Sequence, residues 1–207
     1  MKEMKSAGRI AGVAAIAVAL TTGLASPAVA APAGHASVKV QAAAQTVTQA
    51  QWLTDVSTAI DPAFSYIGQR AAEAPGQKPA IVLDIDNTSI QTYFHPITEP
   101  AVPQTLQLAD YAQSLGISVI FVSARPDIIQ PITLLTLRDA GYRVDGLYTR
   151  DLWELTESDQ TFKTNARIAI ENQGYTIIAN IGNNVSDLAG GHAERTFKLP
   201  DYNGLLS

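Results

Sequence analysis

The sequence predicts an α/β domain of three layers, with a parallel sheet covered by helices on both faces. Three observations carry that prediction. The apolar runs Ile81-Val82-Leu83, Ile117 to Val122 and Thr176 to Ile181 are rich in β-branched residues and lack the alternation of a half-solvated strand, so they suit strands buried on both faces. They alternate with helix-length segments that stop at glycines, an order that implies parallel strands joined by right-handed crossovers. All three runs lead into polar clusters, Asp84-Ile85-Asp86-Asn87-Thr88, Ser123-Ala124-Arg125-Pro126 and Gly182-Asn183-Asn184-Val185-Ser186-Asp187. Those clusters fall at the C-terminal mouth of the sheet, where open parallel sheets bind ligands. At 207 residues the chain can bury a core that needs no staples, and it has no cysteine.

Residues 1–30 read as a secretory signal. Lys2, Lys5 and Arg9 supply positive charge, Ile10 to Leu24 is apolar, and Ala28-Val29-Ala30 fits a small-residue cleavage site. A membrane helix needs roughly 20 apolar residues, and this stretch is shorter and interrupted by Thr21-Thr22-Gly23. Residues 31–49, small and polar with no sustained apolar stripe, read as a flexible leader, and residues 50–207 as the folded domain. In that domain Trp52, Val56 and Ile60 recur at helical spacing, and Asp61-Pro62 is expected to cap and open a second helical segment through Phe64 and Ile67.

A strand over Ile81–Asp84 follows, then Ser89 to Pro103, proline-punctuated and long for a βα loop, which is expected to fold as a short flap over the mouth. Its length leaves no room for a large cap domain. Next come a helix over 104–115 closed by Gly116, the strand 117–122, a helix over 131–140 closed by Gly141, and a short strand over Val144–Tyr148. A helix over 163–173 closed by Gly174 and the strand 176–181 complete the pattern.

Loss of residues 1–30 removes Lys2, Lys5, Arg9 and Glu3, which takes the net charge from −5 to −7. With that sign, and with no run of Lys or Arg interleaved with aromatics, nucleic acid is not an expected stable partner. Without cysteine there is no thiol for a lipid anchor, so the mature protein is expected to be released, extracellular or periplasmic, with no membrane attachment.

Burying a carboxylate without a partner costs several kcal/mol, so Asp84 and Asp86 at the edge of a covered strand imply a cation, a phosphate-bearing ligand, or both. Phosphoryl transfer needs a nucleophile, a proton carrier and groups that hold the phosphoryl oxygens. Asp84 could attack phosphorus, Asp86 could carry the proton, and Ser123 with Lys163 could grip the oxygens.

Together with Thr161-Phe162-Lys163, the three strand-end clusters resemble the four ordered motifs of the haloacid dehalogenase (HAD) superfamily. With Thr196-Phe197-Lys198-Leu199-Pro200 they are most similar to its subfamily IIIB, class B-like secreted acid phosphatases, the group that includes plant vegetative storage proteins. The resemblance covers Trp52 to Pro200 and implies an HAD-like Rossmannoid domain. It also implies that Asp84 forms an aspartyl-phosphate and that Asp86 protonates the leaving group and then activates water. Ser123, Ala124 and Lys163 would bind a small phosphomonoester, and Mg²⁺ would be held by Asp84, the Asp86 backbone carbonyl and the fourth motif through Asn183 and Asp187.

Position 183 departs from the family pattern, which has Asp where this chain has Asn. An amide oxygen still ligates Mg²⁺, but one negative charge is lost, and on charge alone Asn183→Asp is expected to tighten Mg²⁺ binding. A catalytically weakened or inactive storage or phosphate-binding protein on the same fold is therefore the alternative to an acid phosphatase. A phosphoryl-accepting signalling domain, a third reading, is disfavoured by the export signal and by the second carboxylate at Asp86. Arg125 has two roles open to it, substrate contact or a structural pair with a carboxylate, while His95, Trp153, Trp52 and Lys198 read as packing or surface residues.

Overall fold

A computed structural model of the chain describes residues 46–207 with the exception of Ala74. The signal and almost all of the leader expected over 1–49 therefore lie outside the described residues. Helix α1 spans Gln49–Ala72, and the Thr48 hydroxyl caps it by accepting from the Gln51 amide. The expected break at Asp61-Pro62 is absent, and α1 runs through Pro62. The reason is packing: Trp52, Val56, Ile60, Ala63 and Ile67 form one buried stripe across the proline, whereas Pro62 and Thr58, whose carbonyl loses its donor, face water.

The remaining elements are β1 Pro79–Leu83, α2 Pro103–Ser114, β2 Ser118–Pro126, α3 Gln130–Asp139, β3 Gly146–Arg150, α4 Asp159–Asn172, β4 Thr176–Gly182, α5 Val185–Leu188 and β5 Arg195–Lys198. All sheet pairings are parallel, in the order β3-β2-β1-β4-β5. The chain leaves β1 outward through α2 and α3 to β3, then returns through α4 to β4 on the other side of β1. That reversal puts α1, α2 and α3 on one face and α4 on the other. Ile81, Leu83, Val119 and Phe121 join the first core, and Ala80, Val82, Ile120 and Val122 the second, so alternate residues of uniformly apolar strands serve opposite layers. Among the described residues no helix is long and apolar enough to cross a membrane.

Several boundaries differ from expectation. β3 lies two residues later than 144–148, because Asp145 is used to cap β2: its carboxylate accepts from the Val119 amide at 2.8 Å. Helix α4 starts at Asp159 rather than near Lys163, since the Ser158 hydroxyl accepts from the Thr161 amide and nucleates it one turn earlier. Lys163 thus sits in the second turn instead of at the helix start. α5 and β5 went unforeseen; in β5 only Phe197 is buried, too weak a pattern to read as a strand.

The 89–102 segment is less a free flap than a rooted wall. Ser89 and Ile90 are fully buried, Ile90 bridges to Ala101, and the Tyr142 hydroxyl donates to the Ser89 carbonyl at 2.8 Å. Its outer turn, with Ile97 93% exposed, faces solvent.

Candidate active site

At the C-terminal mouth, where strand order reverses between β1 and β4, lies a cavity of about 420 Å³. All seven residues singled out from the sequence line it: Asp84, Asp86, Ser123, Ala124, Lys163, Asn183 and Asp187. Their side chains come from the ends of three strands and from two helices.

Asp84 follows β1 directly and stays tied to β4, because its amide donates to the Ile181 carbonyl at 3.0 Å. Lys163 reaches across from α4 and donates to Asp84 Oδ1 at 2.8 Å and to Asp187 Oδ1 at 2.5 Å. Asp187 Oδ2 accepts from the Asn184 amide at 2.7 Å, closing the capping box of α5. The three side chains are 7%, 7% and 2% exposed. Burial is the main influence on Asp84 and pushes its carboxyl above the ordinary range; Lys163 pulls against that, and Asp187 and Asp86 add to it. For Lys163 burial acts downward, but the two carboxylates outweigh it and raise the ammonium's pKa. One lysine between two buried carboxylates leaves a negative charge unmatched.

Gly182 makes this approach sterically feasible. A Cβ there would lie 2.4 Å from the Asp187 side chain, so the position has space only for hydrogen.

Asp86, two residues on, has a different setting. Arg125 grips it in a fork, Nε to Oδ2 at 3.0 Å and Nη2 to Oδ1 at 2.7 Å, and also reaches Glu99 Oε1 at 2.6 Å. The Thr92 hydroxyl donates to Asp86 Oδ1 at 2.7 Å. Burial acts upward on the Asp86 carboxyl, but Arg125 and Thr92 together bring it below the usual range. Arg125 thus pairs with two carboxylates and also lines the cavity. Ser123, 1% exposed, ends the buried part of β2, and its Oγ accepts from the Arg125 amide at 3.2 Å.

The donor chemistry suits a hard divalent cation. Asp84 Oδ2 accepts no hydrogen bond among the described residues, and Asp86, Asn183 and Asp187 line the same cavity and carry further oxygens. Among the described residues no three acidic, histidine or cysteine groups cluster as a metal site, because Asp86 turns its side chain to Arg125 and Asn183 stands where a third carboxylate would.

Sequence reasoning missed Thr92, Asp159, Leu206 and Ser207, which also line the cavity. No motif marks the last two. His95 bonds to Gln49 at 2.9 Å and Trp153 is 85% exposed, and neither lines the cavity. Lys198, read as a surface residue, donates to the backbone carbonyls of Asn183 and Leu199 and to Asp201, immediately behind the fourth motif.

A family model described as HAD superfamily, subfamily IIIB (Acid phosphatase) matches residues 94–205, more than half of the chain, beginning after Asp84 and Asp86. The chain is similar to the Stem 28 kDa glycoprotein of Glycine max, 41% identical over 106 residues, covering 49% of this chain and 42% of that protein. It is also similar to Acid phosphatase 1 of Solanum lycopersicum, 28% identical over 118 residues, covering 56% and 46%. With Vegetative storage protein 1 of Arabidopsis thaliana the identity is 30% over 105 residues, covering 49% and 38%. The matches thus span less than half the length of each of these relatives. Among solved structures, the class C acid phosphatase from Bacillus anthracis superposes with a TM-score of 0.58 at 18% identity, covering 69% of this chain and 67% of that one, a likeness of fold.

Proposed function

Since the chain belongs to the subfamily IIIB acid phosphatases of the HAD superfamily, we propose that it hydrolyses small phosphomonoesters through an aspartyl-phosphate on Asp84. The observation that carries this reading is the meeting of Asp84, Lys163, Asp187 and Ser123, from four separate segments, around one cavity.

In the first step a carboxylate oxygen of Asp84 forms a bond to phosphorus as the ester oxygen leaves and takes a proton from Asp86. In the second, Asp86 takes a proton from water, whose oxygen bonds to phosphorus while the acyl-phosphate bond breaks, restoring Asp84 and releasing phosphate. Lys163, the Ser123 hydroxyl and the Ala124 backbone hold the phosphoryl oxygens. Arg125 and Thr92 stabilise the Asp86 anion that the first step leaves, the form the second step uses. Mg²⁺ would be held by Asp84, the Asp86 carbonyl, Asn183 and Asp187, and would supply positive charge that lessens repulsion between a carboxylate and an anionic ester.

Residues 1–30 act, in this reading, as an export signal, supported by their charge and apolar pattern. The first residue of the exported protein tests that part. Mass spectrometry of protein treated with beryllofluoride and Mg²⁺ tests the chemistry. The expected result is an adduct on Asp84, with hydrolysis of a generic phosphomonoester that stops on chelation. Phosphate binding without turnover would instead leave the storage reading standing.

A further inference from the structure

We infer that the segment after β5 forms a working wall of the site, and that asparagine stands at 183 because this wall needs an amide donor there. The Leu206 carbonyl accepts from Asn183 Nδ2 at 2.8 Å and from Asn87 Nδ2 at 2.9 Å. A carbonyl only accepts, so both amides must turn their nitrogens toward it. Their oxygens are then fixed as well. Asn87 Oδ1 accepts from the Tyr93 amide at 2.7 Å, which makes Asn87 a tie between the 89–102 wall and the C-terminal one. Asn183 Oδ1 accepts from the Thr88 hydroxyl at 3.2 Å and is the one side-chain acceptor that Asn183 can offer to the cavity.

Other contacts hold the wall in place. The Leu206 side chain is 1% exposed within the main core, its amide donates to the Asp201 carbonyl at 3.1 Å, and Lys198 joins the Asn183 carbonyl to Asp201. Leu206 and Ser207 line the cavity.

An aspartate at 183 would set a carboxylate oxygen against the Leu206 carbonyl, two acceptors with no proton between them. More negative charge for a cation and a docked C-terminal wall are therefore exclusive alternatives at this position. The chain has the wall, and Leu206 is a positioning residue that acts through Asn183. Only the part concerning the cation rests on the phosphatase reading.

Hydrogen exchange followed by mass spectrometry, with calorimetric titration of Mg²⁺, tests the inference on the full chain. In Asn183→Asp, exchange within residues 203–207 is expected to rise by about tenfold or more while β1 and β4 keep their protection, and Mg²⁺ affinity is expected not to improve. Unchanged exchange over 203–207, or Mg²⁺ binding tightened about tenfold with the wall still protected, overturns it. Leu206→Ala keeps both amides but empties the apolar anchor, so it stands in if the buried carboxylate prevents folding. It too should release 203–207 and weaken Mg²⁺ binding about threefold, and no change in either overturns the inference. Absence of turnover with the exchange result intact would count against the phosphatase reading alone.

Discussion

The two ends of the sheet each carry an ionic cluster, with opposite consequences. At the N-terminal end Arg70 forks onto Glu194 at 2.7 Å through both Nε and Nη2, with Gln77 and the Tyr66 hydroxyl in attendance. At the C-terminal end Lys163 lies between Asp84 and Asp187. Both clusters join residues far apart in the chain. In the first, one cation meets one anion beside water, with side chains 14% and 35% exposed, and hydrogen bonding to Arg70 holds the Glu194 carboxyl below its usual range. In the second, one cation meets two anions away from water, and burial pushes the Asp84 carboxyl above its usual range. A matched pair in solvent is a fastener. An unmatched set in a cavity is electrostatically incomplete, and the contrast marks one end of the sheet as a finished pair and the other as the place where the proposed ligand charge would be balanced.

The contrast can be broken most severely at Asp84. Asp84→Asn should lower turnover of a phosphomonoester by more than about a thousandfold while circular dichroism keeps the native spectrum, because an amide is no anionic nucleophile. Activity near the wild-type level would exclude the covalent route. Lys163→Met leaves two buried carboxylates without their cation and should cost about 3–5 kcal/mol in urea unfolding at neutral pH, besides abolishing activity. Asp86→Asn should slow single-turnover release of the leaving group by about a hundredfold or more for alkyl esters and less for activated aryl esters, since only poor leaving groups need the proton. Equal losses of that release rate on both would remove Asp86 from the acid role.

The smallest effect belongs to the N-terminal end. Glu194→Gln should cost less than about 1 kcal/mol, given its exposure. The folded Glu194 carboxyl lies below its unfolded value, so its contribution is complete above the unfolded pKa of about 4.3 and is lost as pH falls through the lower folded one. Thermal melts of the wild type and of Glu194→Gln should therefore differ most above the unfolded pKa and converge as pH falls below the lower, folded one.

The interior of the sheet was legible because β1, β2 and β4 are covered on both faces and spell that out as unbroken apolar runs, while Gly116, Gly141 and Gly174, all at positive φ, mark helix ends. Three of the four motifs were legible for the same reason, since they sit where those runs stop, whereas Thr161-Phe162-Lys163 lies inside α4. What escaped had its cause outside the local sequence. Pro62 stays helical because tertiary burial of Ala63 and Ile67 overrides a local breaker. Edge strand β5 buries one side chain of four, so its signal is faint. The C-terminal wall enters the site through the backbone carbonyl of Leu206, an atom every residue possesses, and no residue type announces it. Arg125 was visible, but the choice of Asp86 and Glu99 as its partners depends on the turn that brings residue 99 back to the mouth.

The hydrogen-sized gap at Gly182 has a practical corollary for anyone redesigning this protein. A mutagenesis library that varies position 182 will lose this cluster in most clones, because even alanine displaces Asp187 and, with it, the lysine that Asp187 aims. Diversity placed on the solvent-facing turn near Ile97, which does not line the site cavity, leaves the contact between Asp187 and Lys163 undisturbed.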